Sequence, residues 1–277
     1  MKIKKAIVPI AGLGTRFLPI SKTIPKEFLP LNAKPVIQYI VEGGLEAGVE
    51  EFIFVISPQK KKIFERYIRE YFGEEKKELL KILKERGKEK AILELKSIPK
   101  INWKVAYQRK PKGDGDAILK AEKFVKNEPF LVLFGDDVSF GKKSFPAQLA
   151  EAFEKYEKPF LCLYKLPKKR LSAYGVPAVK RIKGKVYRIL DLIEKPQKSP
   201  PSNFALVGNY VLTPRVFKFL KKTPLQKGEL ILANALKLMI EKGEEILGLE
   251  VSGKWLECGD LKKWMKTFLF LAKIEGV

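Results

Sequence analysis

The chain has 277 residues and carries 55 Lys and Arg against 32 Asp and Glu, a formal net charge of +23, with no His and two Cys. Hydrophobic residues make up 45% of the sequence, enough for a sizeable core, which excludes an intrinsically disordered chain. The absence of His excludes His-metal centres and Ser-His triads, and two distant Cys exclude a disulfide scaffold. Any chemistry must therefore use carboxylates, Lys, Arg and the backbone.

Apolar strand-like runs alternate with helical periodicity along the whole sequence. We expect strands at 4–11, 52–57, 104–109, 129–137, 159–166, 175–182, 186–193, 204–212 and 246–251. We expect helices at 35–49, 60–72, 115–125, 145–157, 214–221, 229–242 and 261–274. This alternation predicts an α/β fold, a Rossmann-like three-layer mixed β-sheet in a single domain (1–277) with a small β-rich insertion around 165–212.

The positive charge is concentrated in 60–112, where acidic residues are interspersed with the basic ones. Such a surface is typical of solvated ion-pair networks in thermophilic proteins, and steering of anionic substrates is the alternative explanation. No zinc-finger or RRM signature supports nucleic-acid binding, so we do not expect a nucleic-acid partner. No apolar run approaches ~18 residues and the start of the chain lacks a cleavage site, so we expect no membrane association and a cytoplasmic protein.

A glycine-containing loop follows the first strand. Its residues Gly12-Leu13-Gly14-Thr15-Arg16 could line an anion site with backbone N–H groups. The loop is neither a Walker loop nor a Rossmann fingerprint, because Phe17 occupies the third glycine position. It continues through three prolines and carries Arg16, Lys22 and Lys26, cations of the kind that a polyphosphate requires. The alternative is a turn followed by a proline-rich surface loop.

Two adjacent carboxylates, Asp136 and Asp137, end the expected strand at 129–137. Ligands bind at the carboxyl ends of parallel strands, and Mg²⁺ prefers carboxylate oxygens beside substrate phosphates. If the backbone stays extended, Asp137 points to the opposite side, which favours Asp136 as the ligand. Simple turn chemistry is the alternative.

Several stretches together resemble the UTP:glucose-1-phosphate uridylyltransferases within the sugar-nucleotide transferase family. At the N-terminus these are VPIAGLGTRFLP (8–19), KTIPKEFLPL (22–31) and KPVIQYIVE (34–42). Later stretches agree in order: KGDGDAIL (112–119), FGDDV (134–138), AYGV (173–176), IEKP (193–196), SNFALVGNYVL (202–212) and ECGD (257–260). The resemblance covers nearly the whole chain.

The resemblance implies transfer of a uridylyl group from UTP to glucose 1-phosphate, giving UDP-glucose and pyrophosphate with Mg²⁺ as cofactor. It implies catalytic roles for Arg16, Lys26 and Lys195, nucleotide binding by Ala11, Gly12, Gly14, Thr15, Glu27, Gln108 and Gly113, and sugar binding by Gly175, Glu194 and Asn203. It places the metal at Asp136 and Glu257, the latter standing where the family usually has Asp. We also expect a homo-oligomer, a dimer or tetramer, with the apolar last helix serving either a subunit contact or the core.

Some positions depart from the family pattern. The segment KGELILAN (227–234) replaces a more polar stretch, Asn209 stands where Arg is frequent, and Asp116 stands where many members have His. The triphosphate loop and Asp136 are intact, so these departures bear on the sugar or on regulation. Two alternatives stay open: a thymidylyltransferase acting on a hexose 1-phosphate, and a non-catalytic sugar-nucleotide-binding regulatory protein.

Overall fold

The computed structural model describes residues 1–73 and 77–276. The strands are β1 Lys5–Pro9, β2 Pro30–Leu31, β3 Lys34–Pro35, β4 Glu51–Ile56, β5 Asn102–Tyr107, β6 Phe130–Leu133, β7 Asp137–Phe140, β8 Phe160–Lys165, β9 Gly175–Lys183, β10 Val186–Glu194, β11 Phe204–Leu212, β12 Leu247–Glu250 and β13 Lys254–Glu257. The α-helices are α1 Val36–Glu46, α2 Lys61–Ile68, α3 Lys77–Glu85, α4 Glu89–Lys96, α5 Asp114–Lys120, α6 Glu122–Val125, α7 Phe145–Tyr156, α8 Arg215–Leu220, α9 Leu232–Glu241 and α10 Leu261–Glu275.

Nine of these strands form one mixed sheet in the order β5-β4-β1-β6-β11-β8-β12-β10-β9. The strands β5, β4, β1 and β6 are parallel, and β11 runs antiparallel between β6 and β8. The carboxyl ends of the four parallel strands therefore lie at one edge of the sheet, together with the beginning of β11. Ligands of α/β proteins bind at this edge.

Helices cover both faces of the sheet, because successive residues of a strand point to opposite sides. In β1, Ala6 and Val8 pack in a core with residues of α1 and α7, whereas Ile7 packs in a second core with residues of α5, α8 and α9. The buried strand residues are nearly all apolar, which suits a sheet covered on both faces. The predicted α/β fold with a three-layer mixed sheet is confirmed.

The structure differs from the expected elements in three places. The predicted strand 129–137 ends at Leu133, and a turn at Gly135–Asp136 leads into β7, which pairs with β13 in a separate small sheet. Neither β7 nor β13 has a strong strand pattern, because each has only four residues and a mixed burial pattern. The strands of the expected β-rich insertion, β9 to β11, lie within the main sheet.

The basic segment before β5 forms α2, α3 and α4. Phe64 and Ile68 are buried on one face of α2, as helical periodicity predicts, whereas Ile63 is 38% exposed. Oppositely charged side chains pair one helical turn apart on the exposed faces, as in Arg66–Glu70 and Lys90–Glu94. Among the described residues, no helix has the length and apolar character needed to cross a membrane.

Candidate functional site: a nucleotide and sugar-phosphate cleft

The loop after β1 crosses the carboxyl edge of the sheet in three short 3₁₀ turns rather than in a helix. Gly14 adopts φ +68°, and a Cβ there would lie 3.1 Å from Cβ of Ser21, whose hydroxyl donates to the Gly14 carbonyl at 2.8 Å. A Cβ on Gly12 would meet nothing within 4 Å among the described residues. The packing of the loop therefore explains Gly14, whereas the open space at Gly12 leaves room for a ligand close to the backbone.

Lys26 and Asp136 form the central ion pair of the site. Lys26 Nζ lies 2.6 Å from Asp136 Oδ2 and 3.9 Å from Glu27 Oε1. Burial alone would raise the pKa of Asp136, but attraction to Lys26 and Arg16 outweighs it, so this pKa lies below its ordinary value. Burial likewise opposes the charge of Lys26, yet Asp136 and Glu27 raise its pKa above the ordinary value. Both side chains are therefore charged.

Arg16 links this pair to the C-terminal part of the chain. Its Nη1 donates to the carbonyl of Gly259 at 3.2 Å, just after β13. A Cβ on Gly259 would lie 3.3 Å from Asp136 Oδ2 and 3.6 Å from Arg16 Nη1, so both side chains lie over this glycine. Two cations thus flank the Asp136 carboxylate.

Lys60 is a site residue that the sequence analysis did not find. It follows β4, and its Nζ donates to the carbonyl of Gly12 at 2.6 Å. Burial lowers the pKa of Lys60, and raises that of the nearly inaccessible Glu27, although each charge partly offsets the effect on the other. The only available signal was that Lys60 follows a predicted parallel strand, and the surrounding run of lysines obscured it.

Gln108 lies at the carboxyl end of β5 and is 5% exposed. Its Nε2 donates to the Gly113 carbonyl and to Asp116 Oδ2, both at 2.9 Å. Because both amide hydrogens are taken, the side chain can offer a ligand only its oxygen. Gly113 has φ +92°, and a Cβ there would lie 2.4 Å from the Leu230 carbonyl, so only glycine fits.

A cavity of about 200 Å³ lies between the starts of β7, β9 and α9. Gly175 and Glu194 line it, as the sugar-site prediction requires, and so do Asp114 and Asp137. The sequence predicts that Asp137 points to the opposite side, because an extended backbone alternates its side chains. The turn at Gly135–Asp136 interrupts the extended backbone, so this reason does not apply. Burial and repulsion by Asp136 raise the pKa of Asp137 to about 7.

The other two predicted residues near this cavity are placed differently. Lys195 is exposed, and its Nζ lies 3.4 Å from Glu194 Oε1 at the rim. Asn203 is exposed before β11 and its carbonyl accepts a hydrogen bond from Leu166 N, but its side chain is not among those lining the cavity.

Glu257 is held by three donors. Arg170 Nη2 lies 2.8 Å from Oε2, Lys263 Nζ lies 2.7 Å from Oε1, and the Tyr174 hydroxyl donates to Oε1. Cross-strand pairing of β13 with β7 sets Glu257 opposite Asp137, one residue from Asp136. The predicted metal carboxylate of Glu257 thus lies near Asp136, as predicted, but Arg170 and Lys263 already neutralise its charge.

The structure brings most of the predicted site residues to one edge of the sheet. Around the Asp136 carboxylate it gathers Arg16, Lys26 and Glu27, while Glu257 lies opposite Asp137 on β13. The loop residues Ala11, Gly12, Gly14 and Thr15 come from the end of β1, which neighbours β6 in the sheet. Within the described residues, no cluster of three or more acidic or Cys side chains is arranged as a preformed metal cage. A single carboxylate beside substrate phosphates is nevertheless a frequent protein contribution to an Mg²⁺ site.

The family model for nucleotidyl transferases matches residues 5–274. The chain therefore belongs to the nucleotidyl transferase family.

Within that family the chain is similar to uridylyltransferases, which confirms the resemblance seen in the sequence. It is 37% identical over 274 residues to a UTP–glucose-1-phosphate uridylyltransferase of Streptococcus pyogenes, covering 96% of this chain and 88% of the relative. A UDP-glucose pyrophosphorylase solved in complex with UDP-glucose is 34% identical with a TM-score of 0.86, covering 98% of this chain and 99% of the other. A UTP-bound UGPase from Acinetobacter baumannii is 29% identical with a TM-score of 0.85, and the match covers 98% of this chain and 93% of the other.

Proposed function

We propose that this chain transfers the uridylyl group of UTP to glucose 1-phosphate, giving UDP-glucose and pyrophosphate. The observation that carries the proposal is the convergence of Arg16 and Lys26 on Asp136 at the carboxyl edge of the sheet, on the same loop as Gly12. Relatives that align with nearly the whole chain are named for this reaction. Similar solved structures contain UTP, its nucleotide substrate, or UDP-glucose, its product.

The reaction needs positioning and charge neutralisation more than proton transfer. An oxygen of the sugar 1-phosphate attacks the α-phosphorus of UTP, a new P–O bond forms, and the bond to the bridging oxygen breaks as pyrophosphate leaves. The attacking oxygen is already ionised at neutral pH, so the lack of His is no obstacle. Arg16 and Lys26 bind the triphosphate oxygens and offset the repulsion between the two anionic substrates, and Lys195 turns from Glu194 to the sugar phosphate.

The base is read by Gln108 and Gly113. The Gln108 oxygen accepts the N3–H of uracil, and cytosine has no hydrogen at that ring nitrogen. Thymine shares the N3–H group with uracil, so this contact alone does not separate UTP from dTTP.

A divalent cation, Mg²⁺ in our proposal, is held by Asp136 together with substrate phosphates. When bound, it would neutralise phosphate charge during the transfer. Lys26, which pairs with Asp136 Oδ2, would then bind the phosphates instead. Glu257 would be available as a second ligand only if Arg170 and Lys263 released it.

The direct test is to incubate the purified chain with UTP, glucose 1-phosphate and Mg²⁺ and to follow pyrophosphate release. We expect turnover that requires all three. Binding of UDP-glucose without any turnover would instead favour the non-catalytic regulatory protein, and turnover confined to dTTP would favour the thymidylyltransferase.

We further propose a cytoplasmic, heat-adapted homo-oligomer. The exposed face of α10 supports self-association, since Leu261, Met265 and Leu269 lie along it and are about half exposed. Light scattering distinguishes a dimer or tetramer from a monomer.

A further inference from the structure

The cavity that contains Gly175 and Glu194 is acidic, although the chain as a whole carries a net charge of +23. Three carboxylates line it, those of Asp114, Asp137 and Glu194, and among the described lining residues there is no Lys or Arg. The remaining lining residues are tyrosines, glycines or apolar side chains. At about 200 Å³ the cavity is smaller than the roughly 300–1,000 Å³ of drug-sized ligand pockets, as a site for one sugar ring should be.

Neutral donors fix two of these carboxylates in place. Asp114 Oδ1 accepts the backbone N–H groups of Gly115 at 2.7 Å and Leu232 at 2.9 Å. Asp137 accepts from Trp255 Nε1 at 2.7 Å and from Gly208 N at 2.8 Å. These dipoles orient the oxygens, but they do not supply a positive charge.

Glu194 is the one carboxylate of the three that forms an ion pair within the described part of the chain. Its partner is Lys195, whose side chain is 61% exposed and lies 3.4 Å away at the rim. In the proposed reaction Lys195 turns to the sugar phosphate, which would leave the acidic lining of the cavity without a cation. Negative charge on these partly buried carboxylates is costly unless it is paired, so a ligand that brings a positive charge is favoured there.

A cavity of opposite character adjoins this one. It has a volume of about 640 Å³ and shares Ala173 and Tyr174 with the acidic cavity as a common wall. Two acidic side chains, Glu257 and Asp260, line it against six cations: Lys169, Arg170, Lys254, Lys262, Lys263 and Lys266. The two adjoining cavities therefore offer negative and positive surroundings side by side, which suits a ligand carrying both a cationic group and phosphate.

We propose that the acidic cavity accepts hexose 1-phosphates whose ring carries a free ammonium group, and that such an amino-hexose 1-phosphate is used at least as well as glucose 1-phosphate. The inference rests on the proposed function, because it concerns the sugar end of the same reaction. The amine takes no part in bond making. The phosphate oxygen of the amino-sugar attacks the α-phosphorus of UTP and pyrophosphate leaves, as for the neutral sugar.

The test measures kcat/KM by pyrophosphate release with UTP and three sugar phosphates: glucose 1-phosphate, glucosamine 1-phosphate and N-acetylglucosamine 1-phosphate. The acetylated sugar removes the positive charge from the same nitrogen. We expect the ratio for glucosamine 1-phosphate over glucose 1-phosphate to be one or higher, and the acetylated sugar to be at least tenfold poorer than glucosamine 1-phosphate. A ratio below one overturns the inference but leaves the proposed function intact, whereas no release with any sugar contradicts the proposed function itself.

Asp114→Asn supplies the matched variant, because asparagine keeps an oxygen to accept from Gly115 and Leu232 while removing the charge. We expect Asp114→Asn to lower the kcat/KM ratio of glucosamine 1-phosphate over glucose 1-phosphate about tenfold. The control is Asp191→Asn, which removes a carboxylate from the same strand as Glu194 but one paired with Lys237 outside the cavity. It should leave the ratio unchanged.

An unchanged ratio in a folded Asp114→Asn protein overturns the inference. If that variant does not fold, calorimetry on the wild-type protein decides instead. UDP-glucosamine must then bind at least as tightly as UDP-glucose, and weaker binding of UDP-glucosamine contradicts the proposal.

Discussion

The Lys26 ammonium lies 2.6 Å from Oδ2 of Asp136, so the least exposed cation of the nucleotide loop is bound to the carboxylate proposed to hold the metal. Each partner of this pair satisfies the charge of the other. When a triphosphate binds, Lys26 can release Asp136 and bind the phosphates. Asp136 would then hold a divalent cation, which would neutralise phosphate charge, so neither side chain would be left as an unpaired charge.

Lys26→Met should therefore affect activity and folding together. Loss of a preorganised cation at the transferring phosphate lowers kcat by about 10²–10³-fold. Loss of the Lys26 partner of Asp136 also lowers the free energy of unfolding. Breaking a fully buried ion pair costs ~3–5 kcal/mol, and we expect a smaller loss here because the Asp136 side chain is 25% exposed. Pyrophosphate release and thermal melting measure the two effects.

A double variant separates these effects. Lys26→Met with Asp136→Asn removes both charges, so melting should return toward the wild-type temperature while activity stays lost. Lys4→Met is the control for a lost surface charge, because Lys4 pairs with Glu50 at the opposite end of β1. Near-normal turnover in Lys26→Met would contradict the phosphate role.

Lys60→Met tests whether nucleotide binding requires the hydrogen bond that Lys60, after β4, donates to the Gly12 carbonyl. The contact is a charge-assisted hydrogen bond, worth about 1.5–3 kcal/mol, so we expect KM for UTP to rise about tenfold or more with a smaller change in kcat. Steady-state kinetics at saturating glucose 1-phosphate give both constants. The neighbouring exposed Lys62→Met should behave as wild type, and an unaltered KM in Lys60→Met would remove Lys60 from nucleotide binding.

The course of the chain explains why the positions of Lys60 and Asp137 at this edge of the sheet could not be predicted from the sequence, while those of Arg16, Lys26 and Asp136 could. The latter three belong to a contiguous loop or to the end of an apolar strand, and local sequence reveals such positions. Lys60 acts on a residue 48 positions away, and its neighbours along the chain are lysines with the same chemistry. The placement of Asp137 depends on the turn at Gly135, where a Cβ would lie 2.6 Å from Ile10, a long-range contact.

The sheet was predictable for a related reason. Long apolar strands such as β11 are buried along their whole length, and their hydrophobicity marks them directly. The pairing of β7 with β13 joins residues more than a hundred positions apart in two strands of four, so propensity alone gives little signal.

Glu257→Gln distinguishes a structural carboxylate from a metal ligand. Loss of its charge weakens the contacts with Arg170 and Lys263 and should cost about 1–3 kcal/mol, or a few degrees in melting temperature. We expect the Mg²⁺ concentration for half-maximal activity to stay within about twofold of wild type, whereas Asp136→Asn lowers turnover by orders of magnitude. A tenfold or larger rise in the Mg²⁺ requirement of Glu257→Gln would identify it as a ligand during turnover.

Heat resistance follows from the exposed ion pairs if they act as a network. Pairs such as Arg66–Glu70, Lys81–Glu85 and Lys90–Glu94 recur one helical turn apart on the charged helices. Each contributes little at 25 °C, but the desolvation cost of charges falls as temperature rises. We expect a melting temperature above the ~45–65 °C of mesophilic domains, measured by calorimetry, and a value within that range would contradict heat adaptation.

Selection of the base should depend on Gln108, whose two amide hydrogens are fixed by Gly113 and Asp116. A site built to accept the N3–H of uracil leaves its oxygen unpaired with cytosine, so we expect kcat/KM for UTP to exceed that for CTP by about 10⁴-fold or more. Gln108→Leu should lower kcat/KM for UTP about a hundredfold and reduce the ratio, because no acceptor then distinguishes the bases. The control is Lys120→Met on α5, which removes an ion-pair partner of Asp116 but leaves both hydrogen bonds of Gln108 in place, and it should keep the wild-type ratio. If Gln108→Leu kept the full preference for UTP, the base would have to be read elsewhere.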